Sequence, residues 1–452
     1  MEIRLMTLET ITSQMLPGWA SFASVCKEWQ LVNERSNFRR LWLELSSLND
    51  FSLHVIRQRK LVRYILFEIE LPRYTCETCG DIGQFRERTV RDSPIIWQGI
   101  RDLFSILSTW AKTGDLVLEL EVYSPSDSEH WFKHDYFAYE DEDNEDVTSM
   151  HEVGSGWHHS RHGWVNGRQV KHPLLAALPS LFEMVSLVAE KPATVCAVTG
   201  LVIRRNLRRC LIPVALQRIL DGLCRLEHFV FEPWRAWHPQ IGALLDEHLI
   251  QSHLPKTLKT VSIFEDFDEL IHANNIQQPN VMDAIFEDMA DYRVADRMVG
   301  EAFVSRSLDL EELSVSYTVD AAHFFEACTP ALTWQNLRSL ALTSHHLHVR
   351  SQRRIRYLLR NSGTAALQMP SPRLLVIWSG FKGSACAFNY QVDRECASMT
   401  WWSTWDLAVT SDTMEEAIIS HGDAIHHLNL PCKVVTPISL RQMRKRAYQR
   451  II

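Results

Sequence analysis

Residues 115–123 read DLVLELEVY. Leu116, Leu118 and Leu120 alternate with Val117, Glu119 and Glu121, a period of two that belongs to a strand with one buried face. The same outline, apolar residues at the first, fourth and sixth positions or a near variant, recurs along the chain. It is carried by Leu61, Tyr64 and Leu66; by Leu226, Phe229 and Phe231; by Leu258, Val261 and Ile263; by Leu310, Leu313 and Val315; and by Leu337, Leu340 and Leu342. Fainter copies are VCAVTGLVI from Val195, RLLVIW from Arg373 and IHHLNL from Ile425. Helical periodicity fills residues 95–110, 213–223, 281–303 and 353–360. Strands that alternate with helices predict parallel pairing, because a parallel connection needs a crossover long enough to hold a helix.

Leu-x-x-Leu-x-Leu is also the strand signature of a leucine-rich repeat, whose leucines enter a continuous core. The copies beginning at 226, 258, 310 and 337 are 32, 52 and 27 residues apart, against a usual period of about 20–29. The Asn that follows the strand in regular repeats is absent. The fold expected is therefore α/β, a degenerate leucine-rich-repeat-like solenoid of parallel strands and helices. A compact α/β domain with ordinary buried strands is the alternative.

Composition narrows the function. The chain has 452 residues, 46% hydrophobic and 23% charged, enough apolar material for a sizeable core and too much for disorder. Lys and Arg total 47 against 55 Asp and Glu, a net charge of −8. That balance argues against a nucleic-acid binder held by backbone electrostatics. The most apolar window, 178–203, is interrupted by Glu183, Glu190, Lys191 and Pro192, so no membrane partner is expected. MEIRLMTLET lacks the basic and apolar regions of a secretory signal. The expected location is cytoplasmic or nuclear, with the ten cysteines as reduced thiols.

The N-terminus has its own pattern. Residues 2–11 suit a short helix with Ile3, Met6 and Ile11 inward, and Pro17 and Gly18 then break the chain. Phe22, Val25, Cys26 and Trp29 fall at i, i+3, i+4 and i+7, one helical face. A third helix is expected to carry Phe38, Leu41 and Trp42. Three such helices bury too little to stand alone and need a partner or a neighbouring domain.

The succession EIRLMTLETIT, FASVCKEWQLV and NFRRLWL resembles an F-box, with Val25, Cys26, Lys27 and Trp29 on the Val-Cys-Lys-x-Trp signature. The family's opening Leu-Pro is missing, and Thr7 stands at an apolar position of the motif. The resemblance implies a three-helix F-box that binds the Skp-type adaptor of a cullin–RING ubiquitin ligase. Ile3, Met6, Ile11, Phe22, Val25, Cys26 and Trp29 would be its core and adaptor-binding residues. FASVCKEWQ, RQRKLVRYILFEIELP and LEVYSPSDSEHWF also resemble a group of F-box-like proteins of filamentous fungi, which brings no biochemical activity with it. The function implied is a non-catalytic, SCF-type substrate receptor whose repeat body holds an unknown protein substrate. The alternative is a stand-alone interaction scaffold whose N-terminal helices only cap the body.

The organisation expected is an F-box-like helical unit at 1–46 and first solenoid units at 47–134. An acidic, Gly- and His-rich flexible insertion at 135–170, an irregular repeat body at 171–440 and a basic tail at 441–452 follow. The insertion opens with seven acids and no Lys or Arg between Asp135 and Asp146, a solvated loop that could attract a basic partner. The tail clusters Arg441, Arg444, Lys445 and Arg446, a solvated helix end or a nuclear-import patch.

No phosphate-binding, zincin or nucleophile-elbow motif occurs. Cys76 and Cys79 form C-x-x-C, but a structural zinc needs four ligands. No second pair exists, so such a site would have to recruit distant residues such as His54. The expected state is a turn with two free thiols, no metal and no cofactor. His158, His159 and His162, between Trp157 and Trp164, read as a polar loop. An enzyme centred on these groups is a third, less favoured hypothesis. Trp234, Trp237, Trp401, Trp402 and Trp405 suit core filling, or anchors at an interface.

Overall fold

The computed structural model describes residues 10, 19–79, 82–112, 114–127, 129–131, 160–166, 168–171, 177, 182, 184–185, 190–235, 247–266, 295–347, 352–370, 373–381, 384–392, 397–404 and 432–435. The chain forms two compact units, the first reaching to Leu226 and the second beginning at Glu227. Ile3, Met6, Ile11, the acidic stretch, His158, His159, the Ile425 copy and the basic tail lie outside the described residues.

The first unit opens with a 3-10 turn, Trp19–Ser24, and a helix α1, Lys27–Asn37. Strand β1 (Arg40–Glu44) follows, then helix α2 (Leu48–His54), strand β2 (Tyr64–Glu70), helix α3 (Ile82–Ser108) and strand β3 (Val117–Tyr123). A two-stranded hairpin of β4 (Trp164–Val165) and β5 (Arg168–Gln169) precedes β6 (Gly200–Ile203) and α4 (Pro213–Asp221). Strands β1, β2, β3 and β6 pair in that order, all parallel. One face carries Ile65, Phe67 and Ile69 beside Leu118, Leu120 and Val122, all buried. Helix α3 packs on this face: a Cβ on Gly99 would stand 2.5 Å from Leu45 and 3.3 Å from Ile69. Pro213 starts α4, where its missing N–H costs nothing. Gly222 ends it against Phe104, 2.9 Å from where a Cβ would be.

The other face of the same strands is polar and aromatic. Arg40, Trp42 and Glu44 alternate outward on β1, and Trp42 is 63% exposed. The register sets Glu44 beside Glu68 and Glu68 beside Glu121, a row of carboxylates across three strands. Burial, with Glu121 and Glu44 nearby, raises the Glu68 carboxyl to about 7, although Trp42 hydrogen-bonds to it.

The second unit contains β7 (His228–Phe231), β8 (Thr260–Phe264), helix α5 (Arg297–Ser307), β9 (Glu312–Asp320), helix α6 (Ala321–Ala327), β10 (Ser339–Thr343), helix α7 (Gln352–Ala366) and β11 (Leu374–Phe381). Strands β12 (Ser384–Val392), β13 (Ala397–Ser403) and β14 (Cys432–Val435) follow. From β7 to β11 each strand is parallel to the next; β12 runs antiparallel to β11 and to β13, and β14 is parallel to β13. The register builds two apolar rows. Phe229, Val261, Leu313, Leu340 and Leu375 form one, and Phe231, Ile263, Val315, Leu342 and Ile377 the other. All ten are buried. Between them Val230, Ser262, Ser314, Ala341 and Val376 face the other way and are half-exposed. The repeated apolar outline is therefore a set of aligned strands, and the mixed α/β class with mostly parallel pairing is as the sequence implies.

Several expectations change. The third N-terminal helix does not form: residues 40–44 are β1, hydrogen-bonded along β2. Nor is 19–29 one helix. Cys26 is extended (φ −163°, ψ 171°) and breaks it, leaving Val25 63% exposed and Cys26 exposed. Phe22 and Trp29 still meet edge to face at 5.3 Å. Within the expected insertion, the described residues 160–166 and 168–170 include a turn and the β4–β5 pair, with Trp164 buried. Cys196 and Cys224 form a disulfide, each one residue beyond the bridged pair Val195 and Leu223. Helix α3 begins 13 residues before the expected start, and residues 281–294 of the helix expected at 281–303 are outside the described residues. No helix among the described residues is long and apolar enough to cross a membrane.

Candidate metal centre

Two loops at the carboxyl ends of adjacent parallel strands meet in the first unit. After β2 the chain makes a tight turn in which the amides of Thr78 and Cys79 donate to Thr75 O at 3.1 and 2.9 Å. A helix-like turn sets residues three apart on one side, so Cys76 and Cys79 project together. After β3, Asp127 N donates to Ser124 O at 2.8 Å and Glu129 N to Ser126 O at 3.1 Å. This loop ends at His130, whose φ of 58° is left-handed, a conformation His tolerates better than bulkier residues. The third contributor is the 3-10 turn Ser160–His162, tied in by Trp164 Nε1 donating to His130 O at 2.7 Å.

Four chemically matched side chains lie here: three share one cluster, and Cys79 adjoins it through His162. Cys76 Sγ lies 3.1 Å from His130 Nδ1, and Cys79 Sγ lies 3.1 Å from His162 Nε2. Ligand atoms of Cys76, His130 and His162 all lie within 4.8 Å of one another. The two imidazoles are 5.1 Å apart between centroids. Cys79 and His162 are buried, Cys76 half-buried. Burial pushes the Cys79 thiol up, and Cys76 adds to the rise.

The frame around them is polar and closely tied. Asp127 takes two charge-assisted bonds from Arg209, at 3.0 and 3.1 Å, with both side chains nearly fully buried. Tyr74 OH reaches Asp127 at 3.3 Å, and its ring lies under the Arg88 guanidinium. Arg88 donates to Thr78 O at 3.1 Å, holding the cysteine turn. A paired buried carboxylate and guanidinium fix geometry in a low-dielectric setting.

The sequence pointed to the C-x-x-C and to the histidine run but placed them apart. His54, the distant residue named for Cys76 and Cys79, is exposed on α2. His162 is buried, not in a polar loop, and His130 carried no sequence signal beyond its place in the HWF stretch. Only the β2–β3 pairing brings position 130 to 76. Of the residues expected at the N-terminus, Phe22 and Trp29 meet, whereas Val25 and Cys26 point to solvent.

A second polar cluster lies in the second unit. Asp320 ends β9 and caps α6, accepting from Ala322 N at 2.8 Å. It also accepts from Ser344 Oγ at 2.8 Å, His345 N at 2.9 Å and the His345 ring. Burial opposes ionisation, but the His345 ring and amide and the Ala322 amide bring the carboxyl down to about 2. Tyr317, at φ 68°, marks the β9–β10 register shift and donates its amide to Thr343 Oγ1 at 2.6 Å. Ser344 donates to Asp320, so serine and histidine converge on one carboxylate and the arrangement serves as a helix cap.

A family model described as a family of unknown function (DUF6546) matches residues 253–417. No curated protein and no solved structure matches the chain. The matched segment spans β8 to β13 and contains the Asp320 cluster but not the cysteine–histidine one.

Proposed function

We propose that the chain is a non-catalytic substrate receptor of an SCF-type ubiquitin ligase, its N-terminal segment docking a Skp-type adaptor and its strand array holding a protein substrate. The observation that carries this reading is the concentration of exposed apolar side chains near the N-terminus. Val25, Leu31, Trp42, Leu53 and Ile56 are 59–69% exposed within one stretch of 32 residues. Such exposed apolar groups are the kind of surface a partner would cover. The run of parallel strands from β7 to β11, each beside its sequence neighbour, supports a solenoid-like body. On the outward face of the sheet, Glu44 and Glu121, with Tyr123 nearby, suit a basic substrate segment.

A second reading has its own support. Because β1 hydrogen-bonds along β2, the N-terminal segment also serves as a cap, as in a stand-alone scaffold. Leu31→Asp separates the two, since Leu31 is 69% exposed and its replacement leaves the core intact. Co-expressed with a Skp-type adaptor, the full chain should co-purify with it and Leu31→Asp should not, while both keep the same circular dichroism. Failure of the wild-type chain to retain the adaptor overturns the receptor reading and leaves the scaffold.

A further inference from the structure

We infer that Cys76, Cys79, His130 and His162 form a structural zinc site, independent of the partner-binding role proposed above. Two thiolates and two imidazoles are the donor set of closed, tetrahedral zinc centres. Such a donor set disfavours Mg2+ and Ca2+, which take oxygen ligands. The four residues come from three separate stretches, and each stretch is fixed by bonds outside the cluster: Arg88 on the cysteine turn, Arg209–Asp127 on the loop before His130, and the Trp164 indole between the last two. Zinc–sulfur and zinc–nitrogen bonds of about 2.3 and 2.0–2.1 Å imply sulfur–nitrogen edges of about 3.6 Å in a tetrahedron. The two cysteine–histidine pairs stand at 3.1 Å, and the Cys76, His130 and His162 donors lie within 4.8 Å of one another, so binding the ion opens the short edges by about half an ångström and draws the longer ones in, Cys79 toward Cys76 and His130.

The surroundings agree with a metal ligand's needs. With Nδ1 of His130 toward Cys76, Nε2 lies on the side of Glu129, whose Oε2 is 3.8 Å away. At that distance the carboxylate is an electrostatic neighbour of the ring, not a hydrogen-bond acceptor, and it also pairs with Arg73 at 3.0 Å. Trp131 stands edge-on to His162 at 5.1 Å, and the site is largely shielded from water, as a structural site requires. Zinc binding displaces the two thiol protons to solvent and leaves the imidazoles neutral, so no oxidant or reductant takes part. The ion would lock the loops after β2 and β3 to the 160–171 hairpin.

The test uses the full chain purified under reducing conditions. Elemental analysis should give about one zinc per chain. Cobalt exchange should give the ligand-field and thiolate charge-transfer bands of a tetrahedral centre with two sulfurs. Cys79→Ser and His162→Gln should each lose the metal, and Cys26→Ser, at an exposed thiol away from the cluster, should keep it. Should the ligand variants fail to fold, a chelator added to the wild-type chain provides the same reading through a lowered melting temperature that zinc restores. A reduced wild-type chain with no bound zinc, no tetrahedral cobalt spectrum and no response to chelator overturns the inference. So does a Cys76–Cys79 disulfide that persists in reductant.

Discussion

Asp320 gathers bonds from two segments: the first turn of α6, and the adjacent Ser344 and His345 after β10. Removing it leaves several donors facing a buried gap. Asp320→Ala should cost about 2–4 kcal/mol, combining a lost cap with unpaired buried donors. Its pH signature has a definite sign. The folded carboxyl sits at about 2 against an ordinary 3.8, so ionised Asp320 stabilises the fold above the ordinary value, and that contribution fades as pH falls toward the lower one. Denaturant unfolding of Asp320→Asn and wild type should therefore converge in acid and diverge at neutral pH. Glu68 has the opposite sign. Its carboxyl is raised to about 7 from 4.5, so stability falls as pH rises across that interval. Glu68→Gln should flatten the slope and be the more stable protein above pH 7; an unchanged slope would mean the carboxylate row is well solvated.

At the scale of elements, Trp29 shows how far pattern reading reaches. A continuous helix from 19 to 29 would bury Trp29 fully and make its truncation cost about 3–5 kcal/mol. With the helix broken at Cys26, Trp29 is half-buried against Phe22. Trp29→Ala should then cost only about 1–2 kcal/mol, read from the urea midpoint of the full chain. The strands were legible because a parallel rung buries alternate residues, and Leu313 and Leu340 or Val315 and Leu342 repeat that requirement in adjacent rungs. Strands β12 and β13 were missed as a pair: AFNYQV and SMTWW match the alternation but not the Leu-x-x-Leu-x-Leu outline. β1 was missed because LWL fits a helix turn and a strand equally, and only pairing with β2 decides. His130 was hidden for the same reason, since its closeness to Cys76 is a property of strand register, not of spacing.

Across the whole molecule, the cysteine–histidine cluster lies on both sides of the acidic stretch, His130 before it and His162 after it. Shortening that stretch by deleting residues 135–156 leaves both anchors. Each halving of a loop changes closure entropy by only about 0.6 kcal/mol, and this deletion is under two halvings, so the melting temperature should hold; a large fall would show that the deleted segment is packed. The order of strands has another consequence, which concerns synthesis. Within the second unit every strand from β8 to β11 pairs with the one made just before it. At about 5–20 residues per second, successive rungs leave the ribosome seconds apart, whereas loop closure takes well under a millisecond. Each new apolar row can thus find its neighbour before the following one exists. Nascent chains stalled after β9, β10 or β11 should gain protease resistance stepwise, and a single late jump would mean that the stack waits for the antiparallel turn of β12 and β13 to close it.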